Sequence, residues 1–241
     1  MGVIILSMKL VVLTAGKSTR FLPLTEETPK ALITILDKPL VEYTLDLCIE
    51  HVQEIIFVIN ESLGHKVIEH FNNSYKGIPV SYVTQKTDSP RGTLSAVQCA
   101  VPLLDQDMFA VCNCDDLYKK EDIDNAFLSK EYGMGLTTAK MPFQYYGVDV
   151  QNGFIQGFRR HEQTTELVED KFVNGFYIVS RDIFSFDPVI LSDGELGLPQ
   201  TLFANLEKLP LREFTFQEWV AVNSPEHIPL AIDFIKRNYI K

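Results

Sequence analysis

The sequence predicts an α/β fold in which a mostly parallel, mixed sheet lies between two layers of helices. Apolar runs of strand length alternate with segments of helical periodicity, and 46% of the 241 residues are hydrophobic while 22% are charged. That composition is typical of a globular protein with a substantial core. After about residue 139 the apolar runs become shorter and are separated by turns, which predicts a small antiparallel layer. The predicted fold class is therefore a Rossmann-like three-layer sandwich with this layer added.

The elements follow in order along the chain. Apolar runs predict strands at 10–13, 55–59, 80–83, 109–112 and 136–139, and later at 146–150, 154–158 and 172–179. Apolar residues at three- and four-residue spacing predict helices at 40–51, 65–71, 93–103 and 119–130, and a further helix near the C-terminus. The N-terminal run MGVIILSMKLVVL lacks a basic leader and predicts a strand rather than a signal peptide. We expect one domain over 1–241, with one part at about 1–139 and a second at about 140–241.

Composition excludes several classes of partner. The formal net charge of −10 argues against nucleic acid, because binding to a phosphate backbone requires a basic surface. No apolar run reaches the roughly 18 residues that a membrane helix requires. The cysteines lack metal-ligand spacing, so we expect buried free thiols in a cytoplasmic protein; they are Cys48, Cys99, Cys112 and Cys114. A homo-oligomer is possible, and the sequence does not decide it.

The loop after the first strand combines small residues with cations. Its small residues allow main-chain N–H groups to approach an anion; they are Ala15, Gly16 and Ser18. Its cations can supply the positive charge that a triphosphate requires; they are Lys17, Arg20 and Lys30. The loop has neither the G-x-G-x-x-G dinucleotide fingerprint nor the P-loop pattern. We therefore predict a different type of phosphate-binding loop, with an ordinary surface loop as the alternative.

Two further segments follow predicted strands. Asp115 and Asp116 come after the run 109–112, where a carboxylate can hold Mg²⁺ beside a triphosphate. The alternative for this pair is the N-cap of the next helix. A polar turn begins at Gln85, whose amide can pair with the donor and acceptor edge of a pyrimidine. The backbone N–H of Gly92, just before the helix that Thr93 begins, can donate to the acceptor on that edge.

Together these segments resemble the sugar-phosphate nucleotidylyltransferase family. The signature loop of that family is G-x-G-T-R followed by P and then P-K, and the matching residues here are Gly16-Lys17-Ser18-Thr19-Arg20, Pro23 and Pro29-Lys30. Ser18 stands where the family usually has its second glycine. Cys114-Asp115 is similar to the family's G-D, which implies that Asp115 is the metal ligand and Asp116 is secondary. Gln85, where guanine-using members tend to have Glu, implies a pyrimidine base.

The resemblance continues in the second part of the chain. Three segments are similar to the family's sugar-binding Gly, its E-K-P segment and its N-x-G segment. They imply contacts to the sugar phosphate from Gly147, Arg160, Glu162 and Asn174. Arg159-Arg160 replaces the E-K pair. The segment from Trp219 to Glu226 looks like W-x-D-x-G-T-P-E, with Ala221 at the position of an Asp that often binds the metal. Some relatives use an Asn from a V-N pair instead, which implies that Asn223 is the second metal ligand.

The reaction implied by the resemblance joins UTP or dTTP to a sugar 1-phosphate and gives a nucleotide sugar and pyrophosphate, with Mg²⁺ as the cofactor. Arg20 is expected to bind the β and γ phosphates. Lys30 is expected to bridge the α-phosphate and the attacking phosphate. Three alternatives stay open: a metal-dependent glycosyltransferase, a cytidylyltransferase for a non-sugar phosphate, and a non-catalytic nucleotide sensor.

Overall fold

The computed structural model describes residues 8–143 and 145–240, so the first seven residues of the predicted N-terminal strand lie outside the described residues. The strands are β1 (Met8–Leu13), β2 (Thr34–Ile35), β3 (Lys38–Pro39), β4 (Val52–Asn60), β5 (Ser74–Tyr75), β6 (Ile78–Gln85), β7 (Met108–Asn113), β8 (Asp116–Tyr118), β9 (Gly133–Met141), β10 (Gly147–Gln151), β11 (Phe154–Arg159), β12 (Val168–Ser180), β13 (Arg212–Phe216) and β14 (Trp219–Ala221). The α-helices are α1 (Leu40–Cys48), α2 (Gly64–Phe71), α3 (Thr93–Cys99), α4 (Lys120–Ser129), α5 (Leu198–Phe203) and α6 (Ile228–Asn238). Every predicted strand from residue 10 onward and every predicted helix is confirmed, with shifted ends.

A sheet of ten strands forms the centre, in the order β10-β11-β13-β9-β12-β7-β1-β4-β6-β5. The pairs β1–β4, β1–β7 and β4–β6 are parallel, whereas β12 is antiparallel to both β7 and β9. The antiparallel strands that we expected as a separate small layer therefore extend the main sheet. The reason is that β12 hydrogen-bonds directly to the free edge of β7 and carries β9, β13, β11 and β10 beyond it.

Helices cover both faces of this sheet, and the α/β class is confirmed. On one face, α1, α2 and α4 pack on alternate strand residues such as Val12 and Phe57. On the other face, α3 and α5 pack on the intervening residues, such as Val11 and Ile56. A third apolar cluster joins α6 to the beginning of α1 and to Phe21. Successive strand residues point to opposite faces, so a strand that is apolar throughout is buried on both sides.

One local difference from the predicted elements has a simple cause. The helix predicted at 93–103 ends at Cys99, and a 3₁₀ turn at Val101–Leu103 follows. Pro102 lacks the N–H that a continuing α-helix requires.

In the part of the chain that the structure describes, no helix has the length and apolar character needed to cross a membrane.

Candidate active site

A cleft of about 980 Å³ lies at the carboxyl ends of the parallel strands β1, β4, β6 and β7. Parallel strands bring their following loops to one edge of the sheet, which is where α/β proteins bind ligands. The cleft is lined by the loops after these four strands, by part of β12, and by residues of α5 and β14. The four loops thus bring together segments that are far apart in the sequence.

The first loop has an unusual backbone at Ser18. This residue has φ 51° and ψ 36°, in the left-handed region, and its carbonyl oxygen accepts a hydrogen bond of 2.9 Å from Thr25 Oγ1. A left-handed conformation costs a residue with a side chain about 1–2 kcal/mol, whereas glycine adopts it freely. The geometry explains why glycine occupies this place in the pattern that the loop resembles, and how a serine can substitute there.

Lys30 and Asp115 form an ion pair at the wall of the cleft. The Lys30 side chain is 8% exposed, and its Nζ contacts Asp115 Oδ2. The same Nζ lies 5.0 Å from the centre of the Phe21 ring, which is fully buried beneath it. A cation over an aromatic face is attracted by the ring quadrupole. The carboxylate and the ring therefore hold the ammonium group in a defined position.

Arg20 meets Asn223 on the same side of the cleft. Arg20 Nη2 donates to Asn223 Oδ1 at 3.3 Å, and the backbone N–H of Asn223 donates to His227 Nδ1 at 3.1 Å. Asn223 follows β14; of its two partners, Arg20 belongs to the first loop and His227 directly precedes α6. The contact brings the predicted triphosphate-binding cation next to the predicted second metal ligand.

Asp116 is buried at the floor of the cleft. Its Oδ1 accepts from Trp219 Nε1 at 2.7 Å and its Oδ2 accepts from Asn113 Nδ2 at 2.8 Å. Burial, followed by the negative charge of Asp115, raises the pKa of Asp116 to about 8. Neither aspartate caps the next helix, because the N-cap of α4 is Lys119 and makes no side-chain cap bond. The N-cap alternative for the pair is therefore wrong.

Asp115 and Asn223 carry oxygen donors of the kind that Mg²⁺ binds. The described residues contain no group of three or more His, Cys, Asp or Glu side chains that could hold a metal by themselves. Mg²⁺ does not require such a group, since it binds through one or two carboxylates and completes its shell with phosphate oxygens and water. Asp115 and Asn223 both line the cleft and offer a carboxylate and an amide oxygen.

Two sets of hydrogen bonds hold the loop after β6, one made by Gln85 and the other by Glu61. Gln85 Nε2 donates to the carbonyl oxygen of Pro90 at 3.1 Å and to Ser95 Oγ at 3.2 Å. Glu61 Oε2 accepts from the backbone N–H of Thr87 at 2.8 Å and from its hydroxyl at 2.6 Å. The amide nitrogen of Gln85 is thus engaged within the protein, and its oxygen is the atom left for a ligand.

Gly92 and Thr93 connect α3 to the segment that begins α5. The backbone N–H of Leu196 donates to the carbonyl oxygen of Arg91 at 2.7 Å, and Leu94 N–H donates to the carbonyl oxygen of Leu196 at 3.0 Å. Thr93 Oγ1 accepts from the N–H of Leu198 at 3.0 Å. Gly92 has φ +108°, and a Cβ there would overlap the backbone of Leu196. The structure gives Thr93 a connecting role in addition to its place on the cleft wall.

We expect Gly92→Ala to lower the free energy of unfolding by about 2–4 kcal/mol, because the new Cβ adds both a disfavoured φ and a backbone overlap. Urea denaturation measures the change. Gly16→Ala is the matched control, since a Cβ at Gly16 meets no atom within 4 Å. Equal stabilities of the two variants would show that a Cβ at position 92 is tolerated, and would contradict the close approach of Gly92 to the Leu196 backbone.

Of the four predicted sugar-phosphate residues, only Asn174 lines the cleft. Asn174 lines the cleft but is fully buried; its Nδ2 donates to Thr137 Oγ1 at 3.2 Å and its Oδ1 accepts from Phe176 N–H at 3.2 Å. Gly147 is buried, where a Cβ would overlap the Asp170 carboxylate. The guanidinium of Arg160 lies 5.5 Å from the centre of the Tyr146 ring. Glu162 is exposed.

The cleft therefore brings together most of the predicted site residues. Those that line it are Ala15, Gly16, Lys17, Ser18, Arg20, Lys30, Gln85, Gly92, Thr93, Asp115, Asn174 and Asn223. Those that do not line it are Thr19, Gly147, Arg160 and Glu162. Their roles stay predictions. Arg159, which replaces part of the family's E-K pair, is bound by Asp170 at 2.5 and 2.7 Å.

Sequence reasoning missed one wall of the cleft. The short helix α5 contributes Pro199, Gln200 and Phe203, and the turn before it contributes Glu195, which pairs with Arg91 at 2.6 Å. A signal was available, because Gly197 followed by Leu198-Pro199 places proline in the first turn of a helix, where it is favoured. A helix of six residues is too short to show the repeating apolar pattern by which a helix is recognised in a sequence.

Comparison with known proteins identifies the family. The nucleotidyl transferase family model matches residues 9–188, which is more than half of the chain. A UTP–glucose-1-phosphate uridylyltransferase of Haloferax volcanii is 28% identical over 190 residues, covering 73% of this chain and 74% of the relative. A UTP–glucose-1-phosphate uridylyltransferase of Synechocystis is 30% identical over 237 residues, covering 89% of this chain but 60% of the relative.

A solved structure has the same architecture. A UDP-glucose pyrophosphorylase crystallised with UDP-glucose superposes with a TM-score of 0.80 over 96% of this chain and 99% of that chain, at 19% identity. At this identity the likeness establishes the fold, including the large mixed sheet with its parallel centre. The family match, the fold and the arrangement of the cleft lead to one conclusion: the chain belongs to the nucleotidyl transferase family and is a nucleotidyltransferase.

Proposed function

We propose that the chain joins a pyrimidine nucleoside triphosphate, UTP or dTTP, to a sugar 1-phosphate and releases pyrophosphate. An oxygen of the acceptor phosphate attacks the α-phosphorus in line. The new P–O bond forms while the bond from the α-phosphorus to the bridging oxygen of pyrophosphate breaks, so no protein nucleophile is required. The observation that carries the proposal is the ion pair of Lys30 and Asp115 in a cleft that also holds Arg20.

Each charged group has a separate task in this reaction. Arg20, exposed at the mouth of the cleft, binds the β and γ phosphates with its fork of donors. Lys30, fixed between Asp115 and Phe21, bridges the α-phosphate and the attacking phosphate. A preorganised cation stabilises charge as it develops, without reorganisation at the moment of reaction. Asp115 and Asn223 would hold Mg²⁺, and the bound ion would supply positive charge to the triphosphate.

The choice of base rests on the loop after β6. Because Gln85 Nε2 is engaged by Pro90 and Ser95, its Oε1 is available to accept from the N3–H of uracil or thymine. A backbone N–H such as that of Gly92, at the start of α3, can donate to a base carbonyl. This pair of groups suits the imide edge of uracil and thymine. It supports the use of UTP or dTTP ahead of GTP, and CTP is less favoured than UTP or dTTP.

We expect Gln85→Glu to weaken the use of UTP by about 1–3 kcal/mol, or roughly tenfold in kcat/KM. The carboxylate cannot donate to the Pro90 carbonyl oxygen, and it brings a negative charge against that oxygen. A carboxylate also matches the N–H edge of guanine, so the ratio of GTP to UTP use should rise. Competition among the four triphosphates at equal concentration measures both effects. A preference of the unmodified enzyme for GTP would contradict the base assignment and leave the reaction class intact.

The acceptor class is supported by the relatives whose names specify glucose 1-phosphate. The chain spans 60% of the length of the Synechocystis relative, so the activity of the whole relative is carried over only as a proposal. Pyrophosphate release from each common triphosphate with a panel of sugar 1-phosphates, and with phosphorylated amino alcohols, tests the assignment. Release that depends on a sugar 1-phosphate supports it. Release only with another phosphorylated alcohol, or binding without release, would replace it with one of the alternatives.

A further inference from the structure

The proposed reaction assigns no task to Asp116, although this residue is the most buried carboxylate at the cleft. Asp116 is 3% exposed, and each of its carboxylate oxygens accepts one hydrogen bond from a side chain. The donors are Asn113 Nδ2, at 2.8 Å, and Trp219 Nε1, at 2.7 Å, and both residues line the cleft. The carboxylate therefore joins two parts of the cleft wall that are more than a hundred residues apart in the sequence.

The pairing of β8 with β14 explains how Trp219 reaches this carboxylate. Asp116 is directly opposite Ala221, and Trp219 is opposite Tyr118. Opposite residues of an antiparallel pair lie on the same face, and a diagonal neighbour is within reach of an aromatic side chain. The indole of Trp219 reaches Asp116 along this diagonal, past the small side chain of Ala221. A larger residue at position 221 would occupy the same face between them.

A third segment encloses the carboxylate. Gly175, in β12, has φ +87°, and a Cβ there would overlap both Asn113 and Asp116. Gly175 follows Asn174, at the end of the cleft where we predict the acceptor to bind. Asp115, the next residue to Asp116, holds Lys30. Asp116 thus lies next to the residue that holds Lys30 and against the strand that carries Asn174.

We propose that Asp116 is a positioning residue. It holds the indole of Trp219 against the acceptor end of the cleft and so determines how tightly the acceptor binds, while Asp115 acts on the triphosphate. The kinetic part of this inference rests on the proposed function. The structural part, a hydrogen bond that fixes Trp219, does not depend on it.

Fluorescence gives a direct readout, because Trp219 is the single tryptophan of the 241 residues. Asp116→Ala leaves the indole N–H without its acceptor. We expect the emission of Trp219 to shift to the red and its quenching by acrylamide to increase. Asp116→Asn keeps an oxygen that can accept from the indole, so its emission should stay close to that of the unmodified protein. Unchanged emission and quenching in Asp116→Ala would overturn the proposal.

Steady-state kinetics give the second readout. For Asp116→Ala we expect the KM of the acceptor to rise roughly tenfold, as for loss of a hydrogen bond to a charged group, with little change in triphosphate binding. Asp116→Asn should recover most of the loss. In a Trp219→Phe background, which keeps a ring but removes the N–H, the effect of Asp116→Ala should be several-fold smaller. Fully additive effects, or a rise in the triphosphate KM alone, would contradict the proposal.

Asp122→Asn is the matched control. Asp122 is also a buried carboxylate, 2% exposed, and accepts from the backbone N–H of Gln217 at 2.8 Å, just before β14. It lies outside the cleft, on α4. We expect Asp122→Asn to lower stability without changing the acceptor KM. If the unmodified enzyme turns over no acceptor, the proposed function fails, and the fluorescence experiment still decides whether Asp116 fixes Trp219.

Discussion

Asp115→Asn should abolish the Mg²⁺-dependent reaction, with a loss of roughly 10³-fold in turnover. The substitution removes the carboxylate that pairs with Lys30 and, in the proposed reaction, holds the metal. A loss of 10³-fold corresponds to about 4 kcal/mol in the activation barrier, because the variant lacks a carboxylate proposed to act on the reacting groups. Pyrophosphate release at several Mg²⁺ concentrations measures the loss.

Asp116→Asn is the comparison for this variant. Asp116 is directed to Asn113 and Trp219 rather than to Lys30, so its loss should reduce turnover much less. Adjacent residues at the end of a strand point in different directions, and only Asp115 faces the first loop. If Asp116→Asn were the more damaging variant, the assignment of Asp115 as the metal ligand would be wrong.

Lys30→Ala should lower kcat by about 10²- to 10³-fold and leave triphosphate binding nearly unchanged. The ammonium group is proposed to act on the reacting α-phosphate, and its position is fixed by Asp115 and by the Phe21 ring. Single-turnover rates give the chemical step, and calorimetric titration with a triphosphate gives the affinity.

Lys17→Ala removes an equal charge from an exposed position in the same loop. It should raise the KM of the triphosphate and change kcat little. A Lys30→Ala enzyme with the kcat of the unmodified protein would exclude Lys30 from the mechanism.

The parallel part of the fold could be predicted because its central strands, β1, β4 and β7, are mostly buried on both faces and therefore appear as apolar runs. The arrangement of the later strands could not. Local periodicity identifies β12 as a strand, but it contains no signal that β12 pairs with β7 rather than with a separate set of strands. That choice depends on long-range pairing, which a local pattern does not encode.

The candidate site was also predicted only in part. The residues of the first loop lie close together in sequence, and a recognisable spacing of small and cationic residues predicted their convergence with Asp115. Ser18 shows what the pattern means physically, because its left-handed backbone is the reason for glycine at this place. The rest of the cleft wall comes from α5, β12 and β14, and it forms only through contacts of the folded chain. Resemblance alone therefore predicted Gly147, Arg160 and Glu162, and none of the three lines the cleft.

The central claim is that an oxygen of the acceptor phosphate attacks the α-phosphorus of the triphosphate. A sugar 1-phosphate whose phosphate oxygens carry a heavy isotope tests this most directly, with the product analysed by mass spectrometry. Attack by the phosphate retains the labelled bridge to the sugar and all of the label in the nucleotide sugar, while the pyrophosphate is unlabelled. Label in the pyrophosphate, or a nucleotide sugar without it, would mean that a different bond is broken and would contradict the account.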